Sequence, residues 1–368
     1  MRCCIFSAAG ARPSGRRGLD DMGSGVTGDI LVGESAVATA PRAACAASPN
    51  AIWISWERHR RTRELCRSLG IELCELRPRA TSVAKYPFLL WETVLCLLRY
   101  RPRVLVVQCP SVVLGVWAAL LKAVFRYELV VDLHNEAVEP INSSRALYHR
   151  SFAWIRRMAD LSVVTNEPLK AIVEEGGGRG FVLPDRIPDM GGVSRIGNTH
   201  RRPQVVFVCT YAIDEPVEAM LEAAHLVGPA VDIHVTGDRR RLKIQVAIPS
   251  HVHLTGFLPE TQYEQLLREA DVIVDLTSIE HCLVCGAYEA VALEKPLVTS
   301  DTRALRTYFR LGTVYSEHDP SSLADSIRFA LGHRRQLAAQ MASLKRELTT
   351  SWEESREALR RRLRLEQA

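Results

Sequence analysis

The sequence lacks both a strong excess of charge of one sign and a long uninterrupted apolar run. Its 368 residues carry 47 basic and 42 acidic side chains, a formal net charge of +5, and the two signs alternate along most of the chain. Nucleic acid is therefore not the expected partner. The most apolar stretch, residues 104–125, is interrupted by Gln108 and Pro110, so it predicts a strand and a helix of about 15 residues instead of a membrane span.

Two common nucleotide-binding fingerprints are also missing. The chain has neither the G-x-x-x-x-G-K-[ST] loop of P-loop ATPases nor a G-x-G-x-x-G turn after a strand, which disfavours ATPases of that class and dinucleotide-dependent dehydrogenases. The ten cysteines are scattered through predicted strands and helices, which indicates a reducing compartment and a cytoplasmic location. Cys282 and Cys285 form a lone C-x-x-C without a second pair, so no metal site is expected.

The composition is that of a globular protein large enough for two domains. Hydrophobic residues make up 47% and charged residues 24% of the chain, and its length exceeds that of most single cores. The first 48 residues are rich in Gly, Ala, Ser and Arg and show no helical or strand period, which predicts a disordered leader. They also lack the apolar core of a signal peptide, so secretion is not indicated.

Short apolar runs alternate with helical patterns along the rest of the chain. Continuous apolar strands such as residues 104–108 and 128–133 are typical of parallel strands buried on both faces. The pattern predicts the α/β class, with two Rossmann-like, doubly wound parallel-sheet domains facing a cleft. The predicted segments are an amino-terminal domain at 49–190, a Pro- and Gly-rich linker at 191–203, a carboxyl-terminal domain at 204–335 and a final helix at 336–368.

The final helix has periodic apolar residues with dense charge between them. Either it packs back on the body, or it presents a basic amphipathic edge to anionic lipid.

Ligands of open α/β sheets bind at the carboxyl ends of the strands, where loops meet helix amino termini. One such loop, residues 132–136, follows a buried strand of the first domain. His134 is predicted to bond an acceptor or sugar hydroxyl, and Glu136 or Glu139 to accept a proton during transfer, with Asn135 on the acceptor side. The alternative is that His134 and Asn135 only cap the turn.

Two loops of the second domain offer groups for a phosphorylated ligand. After its first strand, Thr210 and Tyr211 precede a helix whose start would hold a phosphate, although capping by Asp214 explains the same residues. After the next strand, Gly237 is followed by three arginines. Arg240 would neutralise a diphosphate or simply face solvent.

The third loop of the second domain, residues 275–289, joins a strand to a helix. If the helix begins near Val284, Cys285 and Gly286, its free amides would hold a donor phosphate, and Glu289 would reach ribose hydroxyls. The alternative is that the carboxylate only satisfies the end of its own helix.

Two runs in this region carry a resemblance. Residues 289–298, EAVALEKPLV, combine a Glu, a small-residue run and a Pro-Leu-Val ending, and residues 256–272 begin Gly-Phe-Leu-Pro and end at an Ala-Asp strand start. Both resemble the carboxyl-terminal domain of GT-B glycosyltransferases, especially family 4, the bacterial group 1 enzymes. The resemblance implies contacts to the nucleotide base from Phe257 and Leu258.

The chain departs from the family pattern in two places. The usual Glu-x7-Glu pair is replaced by Glu280 and Glu289 with eight residues between them, so that His281 stands where the first Glu is expected; both Glu280 and His281 are assigned to the donor site. The Arg and Lys expected after the domain's first strand are missing. In their place residues 210–216 are similar to a loop of the chitobiosyldiphosphodolichol β-mannosyltransferase family.

The resemblance implies hexosyl transfer from a nucleotide diphosphate sugar, with no metal ion or other cofactor. The implied acceptor is a saccharide or a polyprenyl-diphosphate-linked saccharide of cell-surface polysaccharide or glycoconjugate synthesis, with peripheral contact at the inner face of the cell membrane. The residues that would touch the membrane, unless they belong to the core, are Tyr86, Phe88, Leu89 and Trp91, between Lys85 and Arg99.

Two other functions stay open. One is a nucleotide-sugar 2-epimerase of the same fold, which would form product without an acceptor. The other is a non-catalytic sugar-nucleotide-binding partner, which the broken Glu pair and the missing Arg and Lys favour.

Overall fold

The computed structural model describes residues 50–77, 84–109, 111–138, 146–191 and 202–365. These residues form two parallel six-stranded sheets with flanking helices, so the predicted fold class is confirmed. The predicted leader, Glu139 and nearly all of the predicted linker lie outside the described residues.

The first sheet has the strand order β2-β1-β3-β4-β5-β6, and every neighbouring pair is parallel. Its strands are β1 (Ala51–Ser55), β2 (Glu72–Glu75), β3 (Val104–Cys109), β4 (Glu128–Leu133), β5 (Leu161–Val164) and β6 (Gly180–Val182). Its helices are α1 (Arg60–Leu69), α2 (Lys85–Tyr100), α3 (Val112–Phe125), α4 (Asn135–Val138), α5 (Ala146–Met158) and α6 (Glu167–Glu175).

The predicted division of residues 104–125 is confirmed. Every residue of β3 is buried, and α3 follows after a turn in which the Ser111 hydroxyl accepts from the Leu114 amide and caps the helix. Among the described residues no helix is both long and apolar enough to cross a membrane. The short helix α4 was not predicted, because its four residues are too few to show a helical period.

The second sheet has the order β12-β11-β10-β7-β8-β9, again with parallel neighbours. Its strands are β7 (Gln204–Phe207), β8 (Asp232–Thr236), β9 (Val252–Gly256), β10 (Val272–Asp275), β11 (Leu297–Ser300) and β12 (Thr313–Ser316). Its helices are α7 (Val217–Val227), α8 (Glu260–Glu269), α9 (Cys285–Leu293), α10 (Arg303–Tyr308) and α11 (Pro320–Gly332).

This strand order places the functional edge of the second domain. The chain runs from β7 outward through β8 and β9, then returns to the other side of β7 with β10. Neighbouring loops therefore leave in opposite directions between β7 and β10, and such a switch point opens a crevice at the carboxyl ends of the strands.

The final helix, α12 (Arg334–Arg362), joins the two domains. In its first half Lys345 donates to the main-chain oxygen of Ala292 in α9, and near its end Arg360 donates to that of Leu69 in α1. Its buried apolar side chains are Leu337, Met341, Leu344, Trp352 and Leu359. The helix thus packs back on the body, and protein covers the face that the alternative interpretation directs to lipid.

Candidate functional site

The carboxyl edges of the two sheets face each other. Asn166 follows β5 of the first domain, and its side-chain nitrogen donates to the main-chain oxygen of His281, after β10 of the second domain, at 2.9 Å. The side-chain oxygen of Asn166 accepts from the Leu169 amide and caps α6. One amide group therefore both starts a helix and joins the two loops, so the predicted loops meet at one cleft.

A buried ion cluster lies at the carboxyl edge of the first sheet. Arg61, in the first turn of α1, donates to both Asp132 at 3.0 Å and Asp185 at 2.7 Å, and also to the main-chain oxygen of Leu183. Burial opposes the guanidinium charge, but the two carboxylates more than offset it and raise the pKa of Arg61. This cluster fixes α1, β4 and the segment after β6 to one another.

His134 lies beside this cluster and keeps a small opening to solvent. Its Nε2 is 3.7 Å from Asp132 Oδ2, its side chain is 14% exposed, and its ring meets that of His59 edge-on at 4.7 Å. The neighbouring Asn135 is half-buried and begins α4. The side chain of Glu136 is not among the described ones, so its role stays a prediction.

Gln108 adds a buried polar group to the same edge. It pairs in register with Asp132, is 3% exposed, and its side-chain oxygen contacts the Ser55 hydroxyl. Its Nε2 has no hydrogen-bond partner among the described residues. A buried donor of this kind is costly unless a ligand or water satisfies it.

In the second domain, Glu215 organises the loop after β7. Its carboxylate accepts from the Thr210 amide, the Thr210 hydroxyl, the Ala212 amide and the Cys209 thiol. The amide and the hydroxyl of Thr210, a predicted donor-site residue, are thus both engaged within the loop. Asp214, the predicted cap, instead accepts from the Thr277 hydroxyl at 2.8 Å and so ties this loop to the one after β10.

Tyr211 and Gly237 meet at the carboxyl ends of β7 and β8. Tyr211 has a left-handed backbone, with φ of 58°, and a Cβ on Gly237 would lie 2.8 Å from its ring. The ring is therefore held against the glycine. Burial raises the pKa of Tyr211 to about 12, and its hydroxyl has no hydrogen-bond partner among the described residues.

At the start of α9 the structure differs from the prediction that free amides hold a donor phosphate. The Gly286 amide donates to Asp275 Oδ2 at 2.6 Å, so it is not free for a phosphate. Asp275 ends β10 and supplies the cap that the first helical residues lack. A Cβ on Gly286 would clash with Asp275 and Val208, so the glycine brings α9 against the switch point, with Val284 and Cys285 just before it.

Burial, with the nearby carboxylate of Glu215, raises the pKa of Asp275 well above its ordinary value.

Glu289 lies one turn further along α9 and is 3% exposed. It accepts a 2.6 Å hydrogen bond from the hydroxyl of Tyr263 in α8. Burial raises the pKa of Glu289 to about 7, while the Tyr263 bond and the positive charge of Arg60 oppose the rise. Arg60 belongs to the first domain, so its charge acts on Glu289 across the cleft.

Glu280 and His281 occupy the loop after β10 but have different surroundings. Glu280 is exposed and accepts from the Arg303 amide at the start of α10, whereas His281 is half-buried and accepts from Asn166 through its main chain. The extra residue between Glu280 and Glu289 thus leaves Glu280 capping a neighbouring helix.

The remaining predicted donor residues lie further out. Phe257 is 64% exposed, and Leu258 lines an open depression of about 410 Å³ on the outer side of α8. None of the described α9 residues lines this depression. Arg240 is exposed and pairs with Asp238 at 2.7 Å, an arrangement typical of a solvated ion pair.

Sequence reasoning missed several residues of the cleft. Arg61 was not among the predicted site residues, although it is buried. The available signal was polar residues within apolar strands, namely Gln108 and Asp132, because a buried polar group needs a partner. Nothing in the sequence pairs Arg61 with Asp185, which lies 124 positions away.

Comparison with known proteins finds a family that the second domain resembles. Residues 202–333 match the family model of glycosyl transferases group 1. No curated protein is significantly similar in sequence to the chain.

Several solved structures share the fold over most of its length. Sucrose-phosphate synthase from Thermosynechococcus elongatus is 14% identical, with a TM-score of 0.69 over 86% of this chain and 98% of that one. HepE from Anabaena, in complex with UDP and glucose, is 15% identical, with a TM-score of 0.64 over 83% of this chain and 91% of that one. A putative UDP-N-acetylglucosamine 2-epimerase from Listeria monocytogenes is 11% identical, with a TM-score of 0.54 over 80% and 91%. The chain therefore has the GT-B fold, and its residues 202–333 are similar to the glycosyl transferases group 1 family.

Proposed function

We propose that the chain transfers a hexosyl unit from a nucleotide diphosphate sugar to a saccharide or lipid-linked saccharide, without a metal ion. The observation that carries this proposal is the meeting of the two carboxyl edges, where Asn166 joins the group 1 domain at His281. A transferase needs donor and acceptor held against each other in one cleft, because orientation supplies much of the rate enhancement.

The donor side is the switch point between β7 and β10. Beside it, at the carboxyl ends of β7 and β8, the buried hydroxyl of Tyr211 has no hydrogen-bond partner among the described residues, and in our proposal a donor group satisfies it. HepE binds UDP and glucose in the structure with which this fold is shared, so UDP sugars are the first donors to test. The cations that the family places after the first strand of this domain are replaced, in our proposal, by Arg60 of the first domain.

The acceptor side is the carboxyl edge of the first sheet. His134 is partly open to solvent, and Asp132 and the rigid Arg61 cluster hold its surroundings. A histidine so placed orients an acceptor hydroxyl and accepts its proton as the glycosidic bond forms. Asn135 and Glu136 follow directly and complete the proposed acceptor loop.

The acceptor that we propose is a polyprenyl-diphosphate-linked saccharide of cell-surface glycoconjugate synthesis, reached by a cytoplasmic enzyme at the inner face of the membrane. Seven cysteines of the described chain are free thiols, which fits a reducing compartment.

Thermal-shift titration of the purified chain with UDP, GDP, ADP and their sugar conjugates, in EDTA, tests this function. A ligand that binds only the folded state adds about 2.7 kcal/mol at a hundred times its Kd. We expect one nucleotide family to raise the melting temperature and its sugar conjugate to be consumed when acceptor is added. No response to any nucleotide would overturn the proposal.

A nucleotide-sugar 2-epimerase is the second candidate, and the shared fold with the Listeria protein favours it. The carboxyl of Glu289, with its pKa raised to about 7, is an acid–base group that titrates near neutrality in the same cleft. Incubation with UDP-N-acetylglucosamine and no acceptor distinguishes the two enzymes, since only the epimerase forms a product. Binding without turnover, even with lipid acceptors present, would instead indicate the non-catalytic partner.

A further inference from the structure

Three helices of the first domain leave an unusual amount of apolar surface exposed. Helices α2, α3 and α5 carry nine of the fourteen large apolar side chains that are exposed among the described residues. These nine, which we call the apolar surface, are Phe88, Trp91, Leu95, Leu98, Leu120, Val124, Leu147, Trp154 and Met158. Such a concentration marks an interaction site, because isolated exposed apolar residues are scattered over a protein surface.

The three helices that carry the apolar surface pack side by side. Its α2 residues recur at spacings of three and four, so they form one outer stripe, while Leu89 and Leu97 of the same helix are buried. Trp117 of α3 donates to the main-chain oxygen of Leu90, which holds α3 against α2. A Cβ on Gly115 of α3 would lie 2.8 Å from Ile155, so α3 and α5 also pack closely.

The charges on these three helices are nearly all positive. The basic residues are Lys85, Arg99, Lys122, Arg150, Arg156 and Arg157, and the one acidic residue is Glu92. Six basic residues and one acidic residue give a net +5, the same as the formal net charge of the entire chain. These three helices therefore carry a positive excess, of which Lys122 pairs with Asp160 and Arg156 donates to the main-chain oxygen of Val138.

We propose that the apolar surface docks on an anionic phospholipid bilayer. Tryptophan, phenylalanine and leucine enter the headgroup boundary, and the surrounding lysine and arginine side chains meet the lipid phosphates. A second copy of the chain fits less well, because a two-fold interface sets the same patch against itself and so opposes like charges.

Helix α2 carries part of the apolar surface on its outer side, and its buried side contacts the carboxyl edge of the first sheet. Trp56 directly follows β1 at the carboxyl edge of the first sheet, and its ring nitrogen donates to the Thr93 hydroxyl of α2 at 3.2 Å. Its ring centroid lies 6.3 Å from that of Tyr86, in the first turn of α2. Docking through the outer side of α2 would therefore set the bilayer next to the helix that packs against the acceptor-side edge. This inference deepens the proposed function and rests on it for the lipid-linked acceptor.

Co-sedimentation of the full chain with vesicles tests the proposal. We expect binding to vesicles of phosphatidylcholine with phosphatidylglycerol, much weaker binding to phosphatidylcholine alone, and a loss of affinity as salt is raised. The double variant Trp91→Glu/Leu98→Glu should bind at least tenfold more weakly. The matched control Leu226→Glu, a 47% exposed leucine of the second domain, should bind like the wild type.

A second variant measures the electrostatic contribution to vesicle binding separately from the apolar contribution. Arg150→Ser should weaken binding to anionic vesicles about fivefold, since one basic residue near such a surface contributes about 1 kcal/mol. Equal binding by the wild type and the Trp91→Glu/Leu98→Glu variant would overturn the proposal. So would failure of the wild type to bind anionic vesicles, or a dimer that the double variant converts to monomer.

The same protein samples also separate the two proposals. A thermal shift with nucleotide but no vesicle binding would remove the docking surface and leave the transferase. Vesicle binding without a thermal shift from any nucleotide would remove the transferase and leave the docking surface.

Discussion

Tyr263 donates a 2.6 Å hydrogen bond to Glu289, which joins α8 to α9 on the donor side of the cleft. The carboxyl group is almost completely buried, and its burial outweighs both this bond and the charge of Arg60. A group that would ionise near pH 4.5 in the unfolded chain therefore keeps its proton to about pH 7 in the folded one.

This relationship predicts a pH-dependent stability that Glu289→Gln removes. Between about pH 4.5 and 7 the folded chain binds more protons at Glu289 than the unfolded chain, so the wild type loses stability as the pH rises. The free energy of unfolding of the variant, minus that of the wild type, should grow by about 3 kcal/mol across this window. Urea unfolding of both proteins at a series of pH values measures this difference in the free energy of unfolding.

Tyr263, the hydrogen-bond partner of Glu289, provides the control for this experiment. The hydrogen bond from Tyr263 lowers the pKa of Glu289, so Tyr263→Phe should move the midpoint of the pH dependence upward. A difference between Glu289→Gln and the wild type that does not change with pH would contradict the assigned cause.

We expect Arg61→Ala to be strongly destabilising. It leaves the fully buried Asp132 without its counter-ion, and breaking a buried ion pair in this way costs about 3–5 kcal/mol, whereas Asp185 is partly exposed and adds less. The control is Arg67→Ala, an exposed arginine on the same helix, with an expected change within about 0.5 kcal/mol. Denaturant unfolding compares them, and equal losses would refute the structural role of the cluster.

His134→Ala should remove transfer and spare nucleotide binding. Loss of a positioned proton acceptor typically lowers the rate by about 10²–10⁴-fold, whereas the donor is held by the other domain. Glu289→Ala should do the opposite and weaken nucleotide binding. Steady-state kinetics and thermal-shift titration of both variants separate the two effects. Full activity of His134→Ala would show that its assigned role is wrong.

Glu280→Ala should leave the kinetics unchanged and cost a little stability. Its carboxylate accepts from the Arg303 amide, and loss of such a helix-start contact costs about 1 kcal/mol. An increase in the KM for the donor sugar would place Glu280 in the donor site after all.

Elements that a single local period defines could be predicted from the sequence. Residues 104–125 form the predicted strand and helix, because their apolar spacing and start signals act within the segment. The predicted strand 104–108 runs one residue further, to Cys109, because only pairing with neighbours decides where a ladder stops.

The candidate site was only partly predictable. The loops after β4, β7 and β10 were placed correctly, since strand order alone brings them to a carboxyl edge. The partners of their polar groups were not, because Gly286 with Asp275 and Arg61 with Asp185 are tertiary choices that no local pattern encodes. The Gly286 amide, which was expected to be free for a phosphate, thus donates to Asp275 instead.

The path of α12 affects how the chain is made. Trp352, Leu359 and Leu363 complete a hydrophobic cluster with Trp53 and Leu65 of the first domain, although nearly 300 residues separate the two ends of that cluster. During synthesis the first domain therefore cannot finish this core when its own strands emerge from the ribosome, and its apolar groups wait until residues 352–363 have been translated. Nascent chains of this protein should depend on chaperones through most of their elongation.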